Sequence, residues 1–122
     1  MEKYFFEKLK ERSLYFLEIF KEDLKNKKFD VGMFHVEQAL QLALKAFLLK
    51  NFGDFPKIHD LKILFEKIDN EKVKKLAEEK WYIIEILNDA YIASRYLPRE
   101  YGEKELKEAI EFVEEIIKCL NI

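Results

Sequence analysis

The chain has 122 residues, of which 49% are hydrophobic and 38% charged, with three Gly and two Pro. That length makes one domain, residues 1–122, and so little Gly and Pro excludes a turn-punctuated β fold in favour of long helices. A net charge of −2 provides no global field for DNA or an anionic membrane, and the single cysteine, Cys119, excludes an intramolecular disulfide.

The expected elements follow in chain order. From Glu2 to about Lys25, the residues Phe6, Leu9, Phe16, Leu17, Phe20 and Leu24 recur at helical spacing, the mark of an amphipathic helix. Asn26-Lys27-Lys28 ends it, and Asp30 is suited to cap a second helix from Val31 to about Asn51, apolar on nearly all sides and followed by Gly53. After Pro56 a shorter third helix is expected from about Ile58 to Ile68, with Asp60 as its cap and Asp69-Asn70 as its end. Glu71 to Lys80 is mostly charged and is expected to form a peripheral helical turn at best. Another helix runs from Trp81 to about Ser94 and closes at Leu97-Pro98. After Gly102, Leu106, Ala109, Ile110, Val113, Ile116, Ile117 and Leu120 form the cleanest apolar stripe of the chain. The expected architecture is all-α, an up-down four-helix bundle with an additional short helix.

Eleven Phe and six Tyr are many for one small core, which suggests a surface covered by a second copy and hence a homodimer. No apolar run approaches the roughly 18 residues of a membrane span, and the charged N-terminus carries no targeting pattern, so the expectation is a soluble, cytoplasmic protein.

Candidate chemistry lies in polar residues set into apolar helices. Gln38, Gln41 and Lys45 line one edge of the second helix; they form either a solvated rim or half of a polar cleft. His59 stands beside Asp60 at a helix start, where an imidazole serves either the turn or a ligand. Tyr91 and Arg95 are i and i+4, with Asn88 one turn earlier and Tyr96 next in chain. Arg95 is one of only three Arg against 19 Lys, and a guanidinium grips a phosphate or stacks on a ring in ways Lys does not reproduce. Its other reading is a pairing with a bundle carboxylate such as Glu37. There is no glycine-rich phosphate loop, no HExxH and no nucleophile elbow. With only His35 and His59 as histidines, a metal site would need carboxylates to complete it, and no metal or cofactor is expected.

The string FHVEQALQLALKAFLLKNFGDFPKIHDLKILF, followed later by DAYIASRYLP, resembles the HEPN domain family. The matching steps are Gln38-Ala39, Ala43-Leu44-Lys45-Ala46, His59-Asp60-Leu61, Tyr91 and Arg95-Tyr96, across roughly residues 30 to 98. Two departures stand out: Gln41 replaces a Glu that many members carry, removing a carboxylate from the cleft, and Leu97 intervenes before Pro98. Many members of the family are ribonucleases with an Arg followed four to six residues later by His, whereas Arg12, Arg95 and Arg99 have no His at that distance. Without that imidazole, acid–base cleavage lacks its usual agent. The resemblance therefore implies a non-catalytic, nucleotide-binding helical dimer, a partner of small nucleotidyltransferases. The expected ligand cleft comprises Gln38, Gln41, Lys45, His59, Tyr91, Arg95 and Tyr96, with charge from Lys45 and Arg95 and stacking from the tyrosines. Two other readings stand beside it. One is a protein-binding accessory subunit of the toxin–antitoxin kind; the other is a diverged ribonuclease acting on RNA, with His59 or His35 in place of the missing histidine.

Overall fold

A computed structural model describes residues 2–122. It contains six helices: α1 (Glu2–Lys25), α2 (Phe29–Phe52), α3 (Leu61–Glu66), α4 (Glu71–Glu79), α5 (Trp81–Tyr96) and α6 (Glu103–Leu120). The long helices α1, α2, α5 and α6 form the bundle; α3 and α4 make the excursion between α2 and α5. Helix α2 is central, packing on α1, α5 and α6, while α1 and α5 flank it without packing extensively on each other.

Local chemistry sets the helix ends. Gly53, at φ 79, takes the left-handed conformation that closes α2, and its N–H donates to the Leu49 carbonyl. The Asp60 side chain accepts from the Lys62 amide to cap α3. Leu97 is extended, as the residue before a proline prefers, and stops α5. Burial of Leu106, Ala109, Ile110, Phe112, Val113, Ile116 and Leu120 anchors α6 to the core. At Gly32 an added Cβ would stand 2.9 Å from a Leu106 methyl and 3.2 Å from Asp23 Cβ, so glycine is what lets α2 approach both α1 and α6.

Three expectations are corrected. Asp30 does not cap α2, which starts at Phe29; its carboxylate instead accepts from the Tyr101 amide at 2.7 Å and ties the α5–α6 connection to α2. The charged 71–80 segment is a true helix of nine residues, because the Asn70 side chain accepts from the Val73 amide and Val73 and Ala77 are buried. The third helix is shorter than its apolar stripe, running only from Leu61 to Glu66. Among the described residues there is no helix long and apolar enough to cross a membrane.

Candidate functional site

Along α2, Glu37, Gln41 and Lys45 succeed one another at i, i+4 and i+8 and form a hydrogen-bonded file. The Gln41 amide donates to Glu37 at 2.7 Å, and Lys45 Nζ donates to Gln41 Oε1 at 2.8 Å. Gln38 donates to the other Glu37 oxygen at 2.7 Å. Glu37 is fully buried, and burial pushes its carboxyl up to about 7 from 4.5; the two glutamine hydrogen bonds and the charges of Lys45 and Arg95 oppose that rise. Burial likewise holds the half-buried Lys45 ammonium below the usual lysine range, with Glu37 opposing and Lys57 adding to the effect. Gln41 is thus a buried member of a network rather than a rim residue.

Across the seam, α5 and the loop before α3 supply an aromatic cluster. His59 stacks on Tyr91 with ring centroids 4.4 Å apart, and Tyr91 Oη lies 3.3 Å from His59 Nε2. The Arg95 guanidinium carbon lies 4.4 Å from the Phe34 ring centroid, 4.6 Å from that of Tyr91 and 4.8 Å from that of Tyr96. Its Nε donates to the Tyr91 carbonyl at 2.9 Å and its Nη1 to Tyr96 Oη at 3.3 Å. Such a planar cation between rings is held by cation–π attraction as well as hydrogen bonds. Below it, Asn88 accepts from the Leu61 amide at 2.8 Å and donates to Asp60 at 3.2 Å, which fastens the His59-bearing loop to α5.

The seven predicted residues therefore fall into two neighbouring groups on the α2–α5 seam. Gln38, Gln41 and Lys45 gather on Glu37; His59 stacks on Tyr91, and Arg95 joins Tyr91, Tyr96 and Phe34. The charge of Arg95 reaches Glu37, but its hydrogen bonds go to Tyr91 and Tyr96, so the direct Arg95–Glu37 pairing does not form. His35 lies on the other side of α2, stacked on Phe16 of α1 at 5.7 Å and bonded through Nδ1 to Asp23 at 2.6 Å. A broad depression of about 930 Å³ between the ends of α2 and α6 and the start of α4 contains none of the seven.

A family model described as the HEPN domain matches residues 6–122. The chain belongs to the HEPN family. Among solved structures, TT1696 from Thermus thermophilus is similar in fold, with a TM-score of 0.78, 22% identity, and 95% of each chain covered. No match was found among curated proteins.

In this HEPN chain the carboxylate that Gln41 meets is Glu37, one turn earlier, which sequence reading weighed only as a partner for Arg95. Its position at i−4 from Gln41 was legible; its complete burial was not. Phe34 was missed among eleven phenylalanines. Its place one turn ahead of Gln38 on the α2 edge was the available signal. Among the described residues no group of three or more His, Cys, Asp or Glu is placed to hold a metal ion.

Proposed function

We propose that this HEPN protein is a non-catalytic binding module that takes a nucleotide on the α2–α5 seam. One observation carries the reading: two cations, Lys45 and Arg95, serve one seam whose exposed side is lined by stacked aromatic rings, in a chain of net charge −2. A phosphate suits the two cations, and Tyr96, with 69% of its surface exposed, offers a face on which a base can stack. His59 and Tyr91 wall the site, and Gln38 and Gln41 hold Lys45 and Glu37 in place.

Calorimetric titration with ATP and a panel of other nucleotides tests it. Saturable binding by the native chain, reduced about tenfold or more in Arg95→Ala, is expected from loss of a charge-assisted phosphate contact. Equal affinity in the variant would remove Arg95 from the site, and no binding by the native chain would reject the reading.

A protein-binding role, as a homodimer or as the accessory subunit of a small nucleotidyltransferase, is favoured by a different observation. Ile92, Tyr96 and Leu97 are 47%, 69% and 56% exposed beside the seam, an apolar patch suited to burial by a partner. Light scattering and co-purification with a candidate nucleotidyltransferase test it; a monomer that captures no such enzyme, with nucleotide binding intact, would leave the binding module alone standing.

A further inference from the structure

A second concavity, a groove of about 440 Å³, opens between the start of α1 and the loop that follows Gly53. Its size falls within the roughly 300–1,000 Å³ of small-molecule sites. Leu49 and Phe55 are buried and form its apolar floor, and Phe5 meets Phe55 edge to face, ring centroids 5.7 Å apart at 87°. Phe5 nonetheless remains 46% exposed, so the groove presents aromatic surface that the fold has not covered. Phe55 follows two residues after the left-handed Gly53 that closes α2, and its ring lies against Phe5 of α1.

The rim is cationic. Lys8, Arg12 and Lys57 surround the opening, with Asp54 as its carboxylate. That carboxylate is already engaged, accepting from the Phe55 amide at 2.8 Å and from Lys57 Nζ at 3.3 Å. Lys57 Nζ also lies 4.0 Å from the Phe55 ring centroid, and Lys8 pairs with Glu11 at 3.6 Å. Arg12 has no ion-pair partner among the described residues and is exposed at the groove's edge. A guanidinium beside an aromatic floor, with two further cations at the rim, is complementary to a molecule whose body is flat and apolar and whose head is anionic.

We propose that this groove binds a small amphiphilic anion, an aromatic body seated on Phe5, Leu49 and Phe55 with one carboxylate, sulfonate or phosphate held by Arg12 and Lys57. The site shares no residue with the seven of the seam, although Lys45 Nζ lies 5.8 Å from the Phe55 ring centroid and so borders the groove.

The test is a fluorescence titration of the full chain with 8-anilinonaphthalene-1-sulfonate, an aromatic sulfonate whose emission rises in apolar surroundings, followed by displacement with indole-3-carboxylate. Saturable emission is expected, displaced by the carboxylate, weakened about tenfold or more in Arg12→Glu through loss and reversal of the anion's charge-assisted contact. Phe5→Ala should weaken it several-fold and Arg95→Ala should leave it unchanged; matching circular dichroism spectra establish that the variants are folded. Three results would overturn the proposal: no saturable emission from the native chain, Arg12→Glu binding as the native chain does, or loss in Arg95→Ala in place of Arg12→Glu. A native dimer that ignores the dye and becomes monomeric in Arg12→Glu would assign the groove to a second copy instead, and would equally overturn it.

Discussion

Helix α6 and the α2–α5 seam use the same helical spacing for opposite chemistry. The stripe of α6 is apolar at every inward position, and its residues have no partner requirement beyond close packing. The seam places Glu37, Gln41 and Lys45 at that same spacing, and there each group depends on the next for a hydrogen bond. An apolar stripe tolerates many sequences of similar volume; a buried polar file tolerates few, because a missing member leaves an uncompensated donor or acceptor. The first region is held by volume and burial, the second by hydrogen bonds that each need a particular partner.

The contrast is most strongly tested at Ile116, fully buried on α6. Ile116→Ala should lower unfolding free energy by roughly 2–5 kcal/mol in urea titration, the range for a large-to-small core substitution. A loss well under that would mean that α6 is less central than its burial implies.

Glu37 should make stability depend on pH in the unusual direction. The unfolded chain releases this proton near 4.5 and the folded chain near 7, so the folded state holds the extra proton between those values. The stabilisation is full below the lower value and is lost as pH rises through the upper one, by on the order of 3 kcal/mol. Urea midpoints measured at pH 5 and 8 should show the fall in the native chain and a flatter response in Glu37→Gln. The same slope in both would move the proton to another group.

A smaller effect is expected at Asp60, which caps α3 and also accepts from Asn88 of α5. Asp60→Ala should cost about 1 kcal/mol, typical of a lost N-cap, and should loosen His59 against Tyr91. Hydrogen exchange at the Lys62 amide reads the cap directly; unchanged protection would show that the loop is held by other contacts. The smallest effect should come from Arg95→Ala. With the guanidinium exposed, unfolding free energy should change by no more than about 0.5 kcal/mol while nucleotide affinity drops. A large stability loss there would make the aromatic cage a structural feature and would blur the contrast with α6.

Spacing alone marked the four long helices and the Asp60 cap, because amphipathic periodicity and short polar side chains act within a few residues of chain. It did not reveal α4, whose stability rests on two buried side chains and an Asn70 cap rather than on a long stripe. It also misread Asp30, whose partner lies 71 residues away at Tyr101. The residues of the candidate site were legible as polar insertions in apolar helices, yet their grouping was not: Gln41 reads as a rim residue until the burial of Glu37 turns it inward.

The all-helical class, the order of the long helices and membership of a family were readable in the residues, since they follow from local periodicity and from motifs carried in the chain. Packing strips Glu37 of water, sets Arg95 among three rings instead of on a carboxylate, and leaves Arg12 at the edge of an aromatic groove. Each of these depends on which distant helices approach one another, and desolvation and stacking exist only once they have.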